Sequence, residues 1–178
     1  GLSLDKLIVV PAGTPPHKQG RRLAPAADRL AMCRIAFADV EKAEVSDFEI
    51  AQGGTSYTYL TCAHFARLYP GAHLFLLVGT DFFRWKNPEE ILSRVRLAVC
   101  RRNEGVENIE KQQRAFFIRF ARKFEVIPYN GEPVSSTEIR VRSILGMDYS
   151  ALVPVGITEY IRSHGLYSLP PILQGLSL

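Results

Sequence analysis

The sequence has few cysteines and no long apolar stretch, and each shortage excludes a class of protein. No apolar run approaches the roughly eighteen residues of a membrane span, and no basic segment followed by an apolar one opens the chain. Three widely spaced cysteines in apolar surroundings, Cys33, Cys62 and Cys100, argue against a disulfide framework or a cysteine-bound metal. We therefore expect a soluble, cytoplasmic protein with reduced thiols.

The sequence also lacks a strong excess of charge of one sign. It has 22 Lys and Arg against 18 Asp and Glu, a net charge of +4. Nucleic-acid binding usually requires a basic stripe, so we expect neither nucleic acid nor a membrane surface as a partner. One dense basic run, Arg114–Lys123, alternates with aromatic residues; the solvated face of an amphipathic helix explains it at least as well as a binding surface.

Signatures of nucleophilic hydrolases are missing too. No serine lies in a Gly-x-Ser-x-Gly turn, and no cysteine has polar neighbours. What is present is an ordinary globular composition, with 47% hydrophobic and 22% charged residues over 178 positions. That length suits one domain with a full core, and we predict a single domain over residues 1–178.

Short buried strands alternate with amphipathic helices along the chain. The patterns predict strands over residues 7–10, 44–50, 73–79, 96–102 and 124–129, and helices over 26–43, 55–69, 107–123 and 155–163, with others opening at Pro88 and near Ser135. This alternation predicts an α/β fold with a mostly parallel sheet covered on both faces. Such sheets bind ligands beyond the carboxyl ends of their strands, so the loops there are the candidate site.

The segment VSSTEIR (residues 134–140) carries the best-defined local pattern. Ser135 and Glu138 have the spacing of a capping box, in which each side chain satisfies a backbone N–H of the other. Ser136 and Arg140 lie four apart, on one face of the same first turn. A helix N-terminus with hydroxyls and an arginine suits a polyphosphate, so capping and phosphate binding both stay open.

A second loop, after the strand at 73–79, carries three candidates. Gly79 allows a ligand to approach the backbone closely, and Asp81 can accept hydrogen bonds from ribose, lie near a metal, or cap the following turn. Trp85, the single tryptophan, can stack on a ligand ring or belong to the core. These alternatives stay open.

Three further segments have two interpretations each. The GGTSYT stretch (residues 53–58) offers N–H groups and hydroxyls that suit a carboxylate or amide, or an ordinary helix cap. Arg101, at a strand end, is a phosphate ligand or part of a solvated pair. His17 and Lys18, in the loop after the first strand, have the same two interpretations. The combination of these loops at one end of a sheet favours binding.

With these residues identified, the chain resembles the bacterial nicotinate-nucleotide adenylyltransferases of the nucleotidyltransferase superfamily. The motifs that carry the resemblance occur in order across nearly the whole chain: LDKLIVVPAGTPPHK, SYTYLT, LFLLVGTDFFRW, LAVCRR, VSSTEIR and YIRSHGLY. The resemblance implies a Rossmann-like three-layer sandwich with a mostly parallel sheet. It also implies transfer of the adenylyl group of ATP to nicotinate mononucleotide, with Mg²⁺ accompanying ATP and pyrophosphate released, in NAD biosynthesis.

Carried over position by position, the resemblance implies two sets of binding residues. ATP would contact Gly79, Asp81, Ser135, Ser136, Thr137 and Arg140. The nicotinate ring of the mononucleotide would contact Ser56, Tyr57, Thr58 and Trp85. The candidates for binding its phosphate are His17, Lys18 and Arg101. Such a transfer depends on positioning and charge neutralisation more than on covalent chemistry. Association of the chain with copies of itself stays open.

The sequence departs from the family in one motif. The family opens with a strand and a turn of the pattern Gly-Thr-Phe-Asp-Pro-x-His-x-Gly-His, and no such pattern occurs in the 178 residues. We expect about thirty residues, a strand, loop and helix, to belong ahead of Gly1, which is not a Met. No catalytic residue is therefore assigned. Alternatives are a shortened, non-catalytic nucleotide-binding module, or a sister adenylyltransferase for another phosphorylated acceptor.

Overall fold

A computed structural model describes residues 3–15, 23–79, 85–101, 106–129, 131 and 134–168. Its helices and strands are, in chain order, β1 (Leu7–Val9), α1 (Ala26–Ala36), β2 (Ala43–Val45), α2 (Phe48–Gln52), α3 (Thr58–Leu68), β3 (Phe75–Val78), α4 (Pro88–Leu92), β4 (Arg96–Arg101), α5 (Val106–Phe120), β5 (Glu125–Pro128), α6 (Ser136–Ile144), a 3₁₀ turn (Ser150–Leu152) and α7 (Ile157–Ser163). No helix in this part of the chain is both long and apolar enough to cross a bilayer.

The chain divides into two compact units. The central unit is the continuous segment Ser56–Pro133, and the terminal unit combines Leu2–Thr55 with Val134–Leu178. Each unit has its own strands and its own hydrophobic cluster. The single domain expected from the length stays a prediction.

In the central unit, three parallel strands pair in the order β3-β4-β5. The middle strand β4 supplies the most buried residues, since Leu97, Ala98 and Val99 are all at most 1% exposed. Helix α5 contributes Phe116, whose ring meets that of Phe124 edge-on at 5.4 Å. The continuous apolar run of β4 therefore forms the centre of this unit, as expected for a parallel strand.

In the terminal unit, β1 and β2 pair in parallel, with Leu7 opposite Ala43 and Val9 opposite Val45. The core of the unit consists of Tyr149, Ile157 and Ile161. Partly buried residues of α1, α6 and the chain after α7 pack against this core: Met32, Ile35, Ile139, Leu166 and Tyr167. Parallel strands with helices in both units confirm the predicted α/β class.

Two predicted elements are wrong in extent or type. The strand expected over residues 44–50 ends at Val45, and Phe48–Gln52 is helical. Ser46 Oγ accepts a hydrogen bond from the Phe48 N–H at 3.3 Å, which gives the backbone an alternative to the strand ladder. The helix expected over 26–43 ends at Ala36 with Phe37 as its capping residue, and the chain then turns, with φ of +65° at Lys42, into β2, which pairs with β1.

The helix α3 begins later than the sequence suggests. Thr55 and Ser56 are candidate caps, but the capping residue is Tyr57 and the helix starts at Thr58. Thr55 instead forms an isolated parallel bridge with Thr14, which holds its backbone in an extended pairing. Ser56 is only 8% exposed. The segment between Gly54 and Thr58 is thus fixed by pairing and burial before the helix starts.

Candidate functional site

The carboxyl edge of the three-stranded sheet gathers two of the predicted site residues. Gly79 directly follows β3, and Arg101 is the last residue of β4. Because these strands are parallel and Val78 lies opposite Val99, both residues belong to the same edge, as predicted. Gly79 is exposed, and no atom of the described residues lies within 4 Å of the position that a Cβ would take there.

A cation–π contact connects the start of α3 with the segment that precedes α4. The Lys86 ammonium lies 4.5 Å from the centroid of the Tyr57 ring, within cation–π range. The Tyr57 ring also stacks on Tyr59, with centroids 5.8 Å apart. Since Lys86 directly follows Trp85, this contact joins two of the segments that the sequence singles out.

Trp85 lies between the two hydrophobic clusters of the central unit. Its half-buried side chain packs against a cluster that includes Leu97 and Phe116 and against another that includes Cys62 and Ile91. This packing matches the core interpretation of the only tryptophan. Stacking on a ligand ring stays a prediction.

The N-terminus of α6 is capped as the sequence predicts, but only in part. Ser135 Oγ accepts a hydrogen bond from the Glu138 N–H at 3.0 Å. The Glu138 carboxylate, instead of reaching back to Ser135, accepts two hydrogen bonds from the Arg142 guanidinium at 2.8 and 3.0 Å. The serine half of the capping box therefore forms, and the glutamate is committed to an i,i+4 ion pair.

The first turn of α6 presents hydroxyls and a cation together. Ser135, Ser136 and Thr137 are exposed, and Arg140 is half-buried. Arg140 Nη2 donates a hydrogen bond to Thr137 Oγ1 at 3.2 Å, so the guanidinium lies over the first turn. The N–H groups of a first turn have no acceptor within their own helix and carry the positive end of its dipole. This arrangement can hold an anion such as a phosphate.

Tyr167 lies in the same electrostatic environment as Arg140. Burial raises the pKa of the Tyr167 phenol, and the positive charges of Arg140 and Arg29 oppose that rise. The negative charge of Asp28 also raises this pKa. Two residues of α1, Asp28 and Arg29, and one of α6, Arg140, therefore influence the pKa of Tyr167. The closing motif YIRSHGLY thus ends in a tyrosine whose pKa responds to the charge of Arg140, the phosphate-binding candidate of α6.

Arg29 is a residue that the sequence reasoning misses. Its guanidinium donates hydrogen bonds to three backbone carbonyls, those of Ala12, Gly13 at 2.6 Å and Ala24 at 3.1 Å. A signal for it exists, because Arg29 stands four residues before Cys33 and so lies on the same face of the helix as that apolar residue. A cation on an apolar stripe indicates a fixed partner.

The predicted residues fall into one set in each unit. Four that were assigned to ATP phosphates lie at α6 in the terminal unit, namely Ser135, Ser136, Thr137 and Arg140. The central unit holds Ser56, Tyr57, Thr58, Gly79, Trp85 and Arg101. His17, Lys18 and Asp81 lie outside the described residues, as does the side chain of Arg101.

The central unit also has a cavity of about 220 Å³. It is lined by residues at the beginnings of β4 and β5, among them Arg96, Leu97, Arg122 and Glu125. This is the edge of the sheet opposite Gly79, so the cavity is not the candidate site. Among the residues that the structure describes, no group of three or more His, Cys, Asp or Glu side chains is arranged to hold a metal ion.

Comparison with known proteins gives one family and a consistent set of relatives. The family model described as cytidylyltransferase-like matches residues 2–142. Three similar proteins are each named probable nicotinate-nucleotide adenylyltransferase. The one from Clostridium tetani is 32% identical over 93% of this chain and 86% of its own length. The one from Gemmatimonas aurantiaca is 37% identical over 93% and 80%, and that of Desulfitobacterium hafniense DCB-2 is 34% identical over 94% and 83%.

Proposed function

Because the chain belongs to the cytidylyltransferase-like family and to the nicotinate-nucleotide adenylyltransferases, we propose that it transfers the adenylyl group of ATP to nicotinate mononucleotide. An oxygen of the mononucleotide 5′-phosphate attacks the α-phosphorus of ATP. The bond from that phosphorus to the pyrophosphate leaving group breaks. Nicotinate adenine dinucleotide and pyrophosphate are the products, and the reaction serves NAD biosynthesis in the cytoplasm.

The observation that carries the ATP assignment is the N-terminus of α6. Ser135, Ser136 and Thr137 are exposed there, and Arg140 is held over the first turn by its bond to Thr137. Hydroxyls, backbone N–H groups and a guanidinium stabilise the charge of a polyphosphate without covalent chemistry. In this proposal they bind the phosphates of ATP, which enters as its magnesium complex, with the ion held largely by phosphate oxygens and water.

The acceptor assignment rests on the start of α3 and the segment around Trp85. Ser56 is buried and Tyr57 carries the Lys86 ammonium over its ring, so a cation lies within reach of a carboxylate placed beside that ring. A nicotinate carboxylate suits this environment better than an uncharged amide. Arg101, His17 and Lys18 are the proposed ligands of the mononucleotide phosphate.

A second candidate function is binding of both substrates without turnover. Because the 178 residues contain no Gly-Thr-Phe-Asp-Pro-x-His-x-Gly-His segment, the assigned residues bind substrates and none is given a role in the chemical step. A module that binds ATP and nicotinate mononucleotide without turnover would use the same residues.

Calorimetric titration and a product assay distinguish these functions. The chain, together with any residues encoded ahead of Gly1, is titrated with magnesium ATP and with nicotinate mononucleotide, then incubated with both while nicotinate adenine dinucleotide is quantified by chromatography. Product formation supports adenylyl transfer. Binding of both ligands without product favours the binding module, and binding of neither refutes both. Nicotinamide mononucleotide serves as the matched control, since it differs from nicotinate mononucleotide only in having an uncharged carboxamide in place of the carboxylate.

A further inference from the structure

We propose that the cavity at the beginnings of β4 and β5 is a binding site for a small polyvalent oxyanion of the phosphate class, with pyrophosphate as its model ligand. The described residues that line the cavity all belong to the central unit, and none of them is among those assigned to ATP or nicotinate mononucleotide. The proposal is independent of adenylyl transfer, so it stands or fails separately from that function.

Positive charge predominates around the cavity. Of the described residues that line it, Arg96, Arg122 and Lys123 are cationic, and Glu125 alone is anionic. Within the described part of the chain, no ion pair joins any of these three cations to a carboxylate. Their charges are therefore not neutralised by a salt bridge there, and the cavity attracts an anion.

Arg122 is already anchored at the cavity. Its Nη1 donates a hydrogen bond to the Leu92 carbonyl at 2.7 Å, which ties the segment before β5 to the last residue of α4. A guanidinium has five N–H donors in a planar fork, so this bond leaves others for the oxygens of an anion. Because the side chain is held before the ligand arrives, less conformational entropy is lost on binding.

The walls and the volume of the cavity indicate the size of its ligand. Leu92, Val95 and Leu97 also line it and are at most 9% exposed. Such apolar walls strengthen the attraction between the cations and an anion. Pockets for drug-sized molecules have volumes of roughly 300–1,000 Å³. A volume of about 220 Å³ therefore suits a small anion better than a whole nucleotide.

Calorimetry with sodium pyrophosphate, on the full chain in magnesium-free buffer, measures the contribution of each charge. Arg122→Gln and Lys123→Gln each remove a cation from the cavity, and Glu125→Gln removes its carboxylate. The matched controls are Arg114→Gln and Glu110→Gln, which remove the same charges from exposed positions of α5 that do not line the cavity.

The two kinds of substitution should act in opposite directions. Loss of either cation should raise the Kd of pyrophosphate about fivefold, the effect of one unit charge about 4 Å away in water. Glu125→Gln should lower the Kd by a similar factor, and both controls should stay within about twofold of the unaltered chain. Equal effects of Arg114→Gln and Lys123→Gln would show attraction by overall charge only and overturn the proposal.

Hydrogen exchange locates the bound anion. Pyrophosphate should slow exchange of the amides of residues 94–97 and 121–125, since a ligand held there stabilises the segments around it. Slower exchange only at residues 135–139 would place the anion on α6 and overturn the proposal. ADP carries the same diphosphate on a nucleoside; slowing by ADP equal to that by pyrophosphate would refute the assignment to a small free anion.

A second variant protects the test from a folding defect. Arg122→Gln also removes the hydrogen bond to Leu92, so it can lower the melting temperature without any role in binding. Lys123→Gln and Glu125→Gln leave that bond intact and decide the outcome in that case. If both bind pyrophosphate as the unaltered chain does, the cavity is not an anion site.

Discussion

Replacing Ser135 by aspartate separates helix capping from phosphate binding at the N-terminus of α6. The serine Oγ accepts a hydrogen bond from the Glu138 N–H at 3.0 Å, and an aspartate carboxylate caps a helix about as well as a serine hydroxyl. The added negative charge also suits the positive end of the helix dipole. Ser135→Asp should therefore fold as stably as the unaltered chain while binding ATP more weakly.

The expected magnitude follows from the charge that the substitution places beside a bound phosphate. Two like charges about 4 Å apart repel by about 1 kcal/mol in water and about 4 kcal/mol near a protein surface. The lower figure already weakens binding about fivefold. Ser135→Ala removes the cap instead, and should cost about 1 kcal/mol of stability and quicken hydrogen exchange of the first amides of α6.

Calorimetry of magnesium ATP and amide exchange of α6 provide the two measurements, with Ser135→Asn as the matched control. Asparagine keeps a capping oxygen and adds no charge, so its ATP affinity should stay within about threefold of the unaltered chain. If Ser135→Asp binds ATP as tightly as serine does, the phosphates do not lie against this terminus. If Ser135→Ala leaves the exchange of α6 unchanged, the observed hydrogen bond does not stabilise the helix.

Three further predictions concern other parts of the chain. Phe116→Ala should cost about 3–5 kcal/mol of unfolding free energy by urea titration, because the ring is 1% exposed and packs on Phe120 and Phe124; a cost below about 1 kcal/mol would refute its place in the core. Lys86→Gln should raise the Kd of nicotinate mononucleotide severalfold by removing the cation from Tyr57, whereas an unchanged Kd would exclude Lys86 from the acceptor site. Burial and the hydrogen bond that it donates to Asp28 raise the pKa of Tyr160 above its ordinary 10.0, so its contribution to stability is present below pH 10 and is lost as the pH rises through the folded-state pKa. Thermal unfolding of Tyr160→Phe against the unaltered chain between pH 8 and 11 should show a gap that narrows with pH, and a constant gap would contradict this.

Local patterns predicted the elements whose determinants are close in sequence. The helix α6 starts after Ser135 because the serine hydroxyl accepts a hydrogen bond from the Glu138 N–H in the first turn, and it stops before Gly146, whose φ is +67°. His164 is the capping residue at the end of α7, where its backbone N–H donates a hydrogen bond to the Tyr160 carbonyl at 3.1 Å. In these cases the residues that decide the structure are within one or two turns of each other.

Elements decided by distant or competing contacts were not predictable in this way. The strand expected over residues 44–50 breaks because the Ser46 hydroxyl accepts a hydrogen bond from the Phe48 N–H. The spacing of apolar residues gives no sign of such a bond. The late start of α3 follows from the pairing of Thr55 with Thr14, forty-one positions earlier in the numbering. The same limit applies to Arg29, whose partners Ala12 and Gly13 are identified only by the folded chain.

The division of the chain into a continuous and a discontinuous unit has a consequence for the order of folding during synthesis. The central unit needs only Ser56–Pro133, which leave the ribosome as one stretch, so it can fold while the rest is still being made. The terminal unit forms contacts between residues far apart in sequence, such as Tyr160 and Asp28, which are 132 residues apart. Forming it therefore costs more loop-closure entropy than forming the central unit. Its N-terminal half must therefore wait for α7, and we expect β1, α1 and β2 to be the segments most dependent on chaperones in the nascent protein.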